Sequence, residues 1–162
     1  MYTTRPIQPD EVPAARLLIY SVAHEIFNDK RPLEESMAYY DSKGVLEDMD
    51  DIQRSYFDDD GIFLVTVNGD RIIGTGAIKK WNNEICELKR LWFLKEYRGQ
   101  GLGYRMTMEL LSFARSKGYQ RVRLETDPVA QSQAIEFYRR LGFYEIPRYS
   151  QNDDEAAMEL VL

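Results

Sequence analysis

Three glycines alternate with other residues directly after an apolar run, in the stretch RGQGLG that contains Gly99, Gly101 and Gly103. Glycine adopts backbone conformations that let several N–H groups gather around one bulky anion. A helical pattern of apolar residues begins at Leu102. The turn is therefore expected at a helix N-terminus, where unpaired N–H groups and the helix dipole favour phosphate. The residues predict a turn that binds pyrophosphate between a strand and a helix.

The spacing of these glycines excludes the two most common nucleotide-binding loops. A dinucleotide fingerprint has glycine at its first, third and sixth positions, but Tyr104 or Met106 occupies the sixth position here, depending on which glycine is taken as the first. A Walker loop ends in Gly-Lys followed by Ser or Thr, and the sequence contains no such triplet. The phosphate ligand is therefore expected to be one that neither loop binds.

The elements that must position this turn follow from apolar periodicity and from turn residues. Two helices are expected between the first two strands, and Asn68-Gly69 predicts a hairpin. The predicted strands are 1–6, 62–67, 71–80, 86–93, 121–126, 143–146 and 157–162, and the later helices run from Leu102 to Lys117-Gly118 and from Asp127-Pro128 to Gly142. This order predicts one α/β (α+β) domain over residues 1–162.

The strand 86–93 changes its pattern midway. Apolar and polar residues alternate until Leu91, where an apolar run begins. A strand that loses its alternation carries a bulge or is covered on both faces, as a strand beside a ligand cleft would be. We therefore expect this strand to line the binding site.

Composition narrows the class of protein. The chain has 162 residues, 44% of them hydrophobic, and a formal net charge of −6. One globular domain without a nucleic-acid partner is expected, because phosphate backbones bind basic surfaces, and the acidic excess favours cationic substrates such as amines.

No apolar run approaches the roughly 20 residues that span a bilayer. The start MYTTR also lacks the apolar core of a secretion signal. We therefore expect a cytoplasmic protein without a membrane partner.

Cysteine and histidine each occur once, as Cys86 and His24. They cannot form an intramolecular disulfide and fall short of a zinc site, so no metal is expected. Cys86 lies in an alternating apolar stretch, which indicates a buried structural thiol, and His24 is expected at a helix end or on the surface.

Two stretches resemble the signatures of one enzyme family. The run from Arg98 to Gly103 is similar to the acetyl-CoA loop of the GNAT N-acetyltransferase superfamily, (Gln/Arg)-x-x-Gly-x-(Gly/Ala). The segment AIEFYRRLGF, residues 134–143, resembles the second signature of that superfamily, a helix with Phe or Leu before Tyr and Gly-Phe at its end. The order of predicted elements also agrees with this family, although the first third of the chain matches only in that order.

The resemblance implies a fold and a cofactor site. The fold is a central mixed, mostly antiparallel sheet of about six or seven strands flanked by about four helices. Acetyl-CoA occupies a V-shaped opening between the fourth and fifth strands, with the pantetheine along the fourth strand and the pyrophosphate on the N–H groups of the turn. The cofactor-binding residues expected on this basis are Leu91, Trp92, Phe93, Arg98, Gly99, Gln100, Gly101, Leu102, Gly103, Tyr104, Gln131 and Tyr138. Gln131 stands where many members carry Asn, so its contact with the cofactor is open.

Amine acetylation needs an acid, a base and donors for the developing oxyanion. The resemblance places Tyr138 near the thioester sulfur, where a phenol can protonate the departing thiolate. For the base, Glu87 at the start of the fourth strand is the first candidate, Glu125 on the neighbouring strand is the second, and bulk water is an alternative. Backbone N–H groups around Phe93 are expected to polarise the thioester carbonyl.

The sequence thus predicts an acetyl-CoA-dependent N-acetyltransferase that acts by direct attack of a primary amine, with a small molecule preferred as acceptor. A protein N-acetyltransferase and a noncatalytic acyl-CoA-binding or regulatory module are the alternatives, and the glycine spacing disfavours a dinucleotide-binding oxidoreductase. Residues 27–56 and 147–154 are expected to build the acceptor side. A monomer or homodimer is expected.

Overall fold

A computed structural model describes residues 1–152 and 154–162. Its centre is a seven-stranded sheet in the order β1-β2-β3-β4-β5-β7-β6. The strands are β1 Tyr2–Pro6, β2 Ile62–Asn68, β3 Arg71–Lys80, β4 Ile85–Phe93, β5 Arg121–Thr126, β6 Tyr144–Ile146 and β7 Ala156–Val161. Every neighbouring pair is antiparallel except β4 and β5. The expected mixed, mostly antiparallel sheet is confirmed.

Helices cover both faces of this sheet. They are α1 Val12–Ile26, α2 Leu33–Ser42, α3 Ile52–Ser55, α4 Leu102–Ser116 and α5 Ser132–Arg140. One apolar core lies between the sheet and α1 with the segment around α3, and the other lies between the sheet and α4 with α5. Among the described residues, no helix is long and apolar enough to cross a membrane.

β4 and β5 pair over only part of their length. The parallel register joins Ile85 to Arg121, Cys86 to Val122 and Glu87 to Arg123 and then stops. Both strands continue in the same direction beyond that point, so they splay apart. This is the V-shaped opening expected between the fourth and fifth strands.

The change of pattern in β4 is caused by a bulge. Before it, Cys86 and Leu88 pack into the core beside α4; after it, Leu91 and Phe93 do so. The side-chain alternation has therefore moved from even to odd positions, which one inserted residue produces. The register with β3 shifts at the same place, since Thr75 pairs with Trp92 and Ala77 pairs with Lys89.

The predicted start of the last helix is wrong. Asp127 and Pro128 do not open α5, which begins at Ser132. The Asp127 carboxylate accepts hydrogen bonds from the N–H groups of Val129 and Ala130, both at 2.9 Å, so it closes a separate turn. This turn competes successfully with the helix for the local N–H groups. The strands and α4 occur within one or two residues of their predicted bounds, and the 68–71 hairpin is present. The two helices expected between the first two strands are α1 and α2, and the short helix α3 is an addition that no sequence pattern predicted.

Two glycines in β3 admit neighbours that a side chain would exclude. A Cβ atom on Gly74 would lie 2.2 Å from Cε1 of Phe93, and one on Gly76 would lie 2.9 Å from Cγ of Met106. The backbone of β3 is therefore approached by the ring of its partner strand and by α4. Glycines within a strand often mark a close approach by a neighbouring group, and here side chains of the core make that approach.

We expect Gly74→Ala to lower the free energy of unfolding by about 1–3 kcal/mol, because the Phe93 ring must move to admit the methyl group. Chemical denaturation measures this. The control is Gly103→Ala in the first turn of α4, where an added Cβ meets no heavy atom within 4 Å. Its stability should hold or rise, since alanine favours helix. Equal stability of the two variants would contradict the packing argument.

Candidate active site

A cleft of about 640 Å³ lies where β4 and β5 separate. One wall comes from α1, Tyr40 and the segment after α2, and the other comes from β5, the turn before α5, and the loop before β7. Among the residues predicted for the site, the cleft is lined by Glu87, Leu91, Trp92, Glu125, Gln131 and Tyr138. The structure therefore brings the proposed acid and both proposed bases into one cleft.

The glycine turn lies at the start of α4 and presents free backbone donors. Gly99 and Gly101 have φ values of 81° and 80°, which only glycine adopts without strain. Among the described residues, no acceptor binds the N–H groups from Gly99 to Tyr104. A Cβ atom on Gly99, Gly101 or Gly103 would meet nothing within 4 Å, so the turn is open. These observations fit a pyrophosphate, although the turn itself does not line the cleft.

The side chain of Arg98 is engaged within the protein. Its Nε donates to the carbonyl oxygen of Phe93 at 2.9 Å, and its Nη2 lies 2.9 Å from Oε1 of Glu25. Arg98 therefore fastens the turn to the end of β4 and to α1. Its expected part in phosphate binding is accordingly limited to the main chain.

The end of β4 supplies backbone donors to the gap. The N–H of Leu94 donates to the carbonyl oxygen of Ile73 in β3 at 3.0 Å. Because successive N–H groups of a strand alternate in direction, the N–H of Phe93 is turned to the other side, toward the gap. The Phe93 ring itself is 8% exposed and packs in the core, so this residue serves the site through its backbone alone.

Tyr138 is buried at the inner end of the cleft. Its side chain lies in α5, and its ring packs against those of Phe137 and Phe143. Among the described residues its hydroxyl has no hydrogen-bond partner. Burial raises the pKa of Tyr138 above its ordinary value of 10, so the hydroxyl keeps its proton at neutral pH. A free, protonated donor is what a departing thiolate requires.

Glu87 is held by contacts that the sequence did not indicate. Its Oε2 accepts a hydrogen bond from the Tyr149 hydroxyl at 2.6 Å, and its Oε1 lies 3.7 Å from Nζ of Lys89. The Tyr149 ring lies 5.0 Å from that of Trp81 and 4.7 Å from the Arg123 guanidinium. Burial and the charge of Glu87 raise the pKa of Tyr149. Tyr149 therefore keeps its proton and fixes the orientation of the Glu87 side chain.

Gln131 is bound to the end of β5. Its Oε1 accepts hydrogen bonds from Oγ1 of Thr126 at 3.0 Å and from the N–H of Asp127 at 3.1 Å. Its amide NH2 group has no partner among the described residues, so a donor remains beside the cleft. Gln131, which is longer than the Asn of many family members, therefore also joins the end of β5 to the start of α5.

Glu155 is a cleft residue that the sequence reasoning missed. It precedes β7, and its Oε2 is buried without a hydrogen-bond partner among the described residues. Burial, and then the negative charges of Glu125, Asp127 and Asp154, raise its pKa to about 7. A glutamate in a polar loop gives no sequence signal of such an environment, because its neighbours come from β5. Asp153, in the loop expected on the acceptor side, lies outside the described residues.

Cys86 lies in the apolar core, whereas His24 lies at the end of α1 and lines the cleft. Cys86 is fully buried in the core, and burial raises the pKa of its thiol to about 12. His24 lies in the last turn of α1, where its Nε2 is 2.6 Å from the carbonyl oxygen of Arg31. Within residues 1–152 and 154–162, no three His, Cys, Asp or Glu side chains are arranged to hold a metal ion.

Comparison with known proteins identifies one family. The sequence profile of the acetyltransferase (GNAT) family matches residues 22–143. N-acetyltransferase 8B of Rattus norvegicus is 34% identical over 116 residues, which are 68% of this chain and 52% of that protein. N-acetyltransferase 8 of the same species is 36% identical over 110 residues, or 64% and 49% of the two chains. The chain thus spans about half the length of these relatives.

Solved structures share the whole fold. A GNAT-family acetyltransferase of Staphylococcus aureus Mu50 has a TM-score of 0.83 at 20% identity, with 98% of each chain covered. The PaiA N-acetyltransferase of Thermoplasma acidophilum, solved in complex with coenzyme A, has a TM-score of 0.78 at 18% identity, with 100% of this chain and 99% of that chain covered. At these identities the likeness concerns the fold alone.

Glu155 predicts a pH dependence of stability. With a pKa of about 7 in the folded protein against an ordinary 4.5, the folded state keeps a proton that the unfolded state loses between these values. The free energy of unfolding should therefore fall as pH rises from about 4.5 to about 7. Glu155→Gln should remove this part of the slope and raise stability at pH 8, as measured by denaturation across pH.

The control for this experiment is Glu84→Gln, which changes an exposed glutamate outside the cleft. It should leave the slope as in the parent protein. The same slope in the Glu155→Gln variant would show that another group is responsible.

Proposed function

The chain belongs to the acetyltransferase (GNAT) family, and from this premise we propose that it transfers the acetyl group of acetyl-CoA to a primary amine of a small molecule. One observation carries the proposal. The free N–H groups of the turn from Gly99 to Tyr104 adjoin the end of a splayed strand whose cleft contains Tyr138 and several carboxylates. This arrangement suits an anionic cofactor at one end and an amine at the other.

Acetyl-CoA would supply an acyl group activated as a thioester. The turn from Gly99 to Tyr104 would hold the pyrophosphate through its N–H groups, and the dipole of α4 would add to the attraction. Leu91, Trp92 and Phe93 would offer their unpaired backbone edge to the pantetheine amides. The Phe93 N–H would stabilise the negative charge that develops on the carbonyl oxygen, a contact worth about 3–4 kcal/mol in other enzymes.

The proposed reaction combines the transfer of the acetyl group with proton transfers. An alkylammonium acceptor would first lose one proton to bulk water; the neutral amine nitrogen then attacks the carbonyl carbon, a C–N bond forms, and the bond from this carbon to sulfur breaks. Glu87, acting directly or through a water molecule, takes the proton that the nitrogen loses, with Glu125 as the second candidate. Tyr138 donates its proton to the departing sulfur, so that coenzyme A leaves as a thiol. Holding both reactants in this geometry contributes roughly 7 kcal/mol or more.

The acceptor is proposed to be a cationic small amine. Carboxylates of Glu87, Glu125 and Asp127 line the part of the cleft where β4 and β5 separate, and Glu155 adds a negative charge above its pKa of about 7. Such a concentration of negative charge attracts an alkylammonium ion. The cleft volume of about 640 Å³ is within the range of small-molecule sites, and the loop before β7 and the segment after α2 line it. The preference for a small acceptor over a protein amine rests on this volume.

The test is release of free coenzyme A thiol when the protein and acetyl-CoA meet a panel of small amines and of peptides with free amino termini. We expect turnover with diamines or other cationic amines. Turnover with peptides alone would identify a protein N-acetyltransferase. Binding of coenzyme A without thiol release from any acceptor would identify a noncatalytic module. Calorimetric binding of NAD and not of coenzyme A would refute the proposal.

Tyr138→Phe tests the general acid. We expect kcat to fall by about 100-fold while the dissociation constant of coenzyme A stays nearly unchanged, because only a proton donor is lost. The matched control is Tyr119→Phe. Tyr119 is also 6% exposed, but its hydroxyl donates to the carbonyl oxygen of Asp60 outside the cleft. Full turnover and an unaltered pH profile in the Tyr138→Phe variant would exclude the role.

A further inference from the structure

Arg90 is the residue at which the backbone of β4 leaves the strand conformation. Its φ is 59°, in the left-handed region that residues other than glycine adopt rarely. It lies inside the register shift that forms the bulge. A left-handed arginine costs conformational energy and persists only where its surroundings hold it. The contacts of Arg90 therefore show what maintains the bulge.

Both the backbone and the side chain of Arg90 are bound. Oγ1 of Thr75 donates to its carbonyl oxygen at 2.6 Å. Its Nη2 donates to Oδ1 of Asp48 at 2.6 Å, and its Nε donates to Oδ2 at 3.2 Å. A further bond joins Nη2 to the carbonyl oxygen of Val45 at 3.1 Å. The side chains of Arg90 and Asp48 are only 16% and 9% exposed.

This pair is ionic at neutral pH. Burial acts to raise the pKa of Asp48, but the hydrogen bonds and charge of Arg90 outweigh it and the pKa is lowered. The Tyr56 hydroxyl also donates to Asp48. A forked contact between guanidinium and carboxylate fixes direction as well as distance. The bulge is thus held by a directional contact, whereas apolar packing would leave it freer to shift.

The pair joins two parts of the cleft. Asp48 lies in the short 3₁₀ turn Glu47–Met49 between α2 and α3, while Val45 and Arg90 line the cleft together with Trp92. The bulge decides which N–H groups at the end of β4 point into the gap. Any shift of the bulge would therefore turn the Phe93 N–H away from the place where a donor is needed.

We infer that Arg90 and Asp48 are positioning residues whose ion pair holds the bulge of β4 so that the Phe93 N–H points at the reacting carbonyl. The inference rests on the proposed function. It assigns the segment between α2 and α3 a part in the chemistry, because that segment supplies Asp48. The pair touches no reacting atom in this role and acts through the backbone of β4.

Kinetics of three variants test the inference. Asp48→Asn keeps the size of the side chain and removes its charge. Arg90→Gly permits the left-handed backbone but removes the guanidinium. Arg90→Lys keeps the positive charge but cannot make the forked contact with the carboxylate. We expect kcat of the first two to fall by at least about tenfold, since small displacements of reacting groups cost this much. Arg90→Lys should fall less than Arg90→Gly. The dissociation constant of coenzyme A should change by a smaller factor than kcat, because the glycine turn proposed to hold the pyrophosphate is intact.

The control is Glu11→Gln, which disrupts the ion pair of Glu11 with Arg5 at 2.7 Å, outside the cleft. It should reduce stability and leave kcat unchanged. All assays are made below the unfolding temperature of each variant, so a loss of turnover reports the folded protein. Unchanged kcat in both Asp48→Asn and Arg90→Gly would make the pair purely structural and overturn the inference.

Amide NMR supplies a readout independent of turnover. Asp48→Asn should shift the ¹H–¹⁵N resonances of Trp92 and Phe93 and accelerate hydrogen exchange of the Leu94 N–H, while Glu11→Gln should do neither. Unshifted amides in Asp48→Asn would overturn the inference even if kcat fell. A parent protein without any turnover would refute the proposed function, and the amide shifts would still decide whether Asp48 positions the strand.

Discussion

The early end of the pairing between β4 and β5 is the constraint on which the site depends. The last paired residues are Glu87 and Arg123, and both strands continue past them. Backbone N–H and C=O groups that are shielded from water need partners, so an unpaired strand edge inside a cleft is costly unless a ligand completes it. A ligand with amide groups would satisfy that edge as a further strand would. In the proposed function the open edge would therefore select such a ligand and provide the surface along which it lies.

The two ends of the cleft region differ in electrostatics. The start of α4 presents free N–H groups from Gly99 to Tyr104, which carry partial positive charge. The side near β5 and β7 carries Glu87, Glu125 and Glu155. Under the proposed function, an anionic cofactor and a cationic acceptor would be attracted to opposite ends. The net charge of −6 is compatible with this proposal, because backbone dipoles would attract the phosphate locally.

Polar contacts inside the walls keep this arrangement rigid. Glu87 is oriented by Tyr149, and the β4 bulge is tied to Asp48 through Arg90. Buried polar groups are costly when left unpaired, so each contact specifies one geometry more sharply than apolar packing could. Because Gly74 has no side chain, the Phe93 ring lies directly against β3. This contact holds the end of β4 on the side away from the gap. The site is accordingly formed by elements far apart in the chain.

The sequence by itself determined what depends on neighbouring residues. Glycine spacing and apolar periodicity located the turn, the start of α4 and its end to within two residues, since caps and positive φ values are local properties. Two signatures identified the family. Tertiary structure alone decided that Glu155 is buried beside other carboxylates, that Tyr149 binds Glu87 from 62 positions away, and that Arg90 pairs with Asp48. Desolvation and ion pairing depend on residues brought together by folding, and no pattern of adjacent residues specifies those partners.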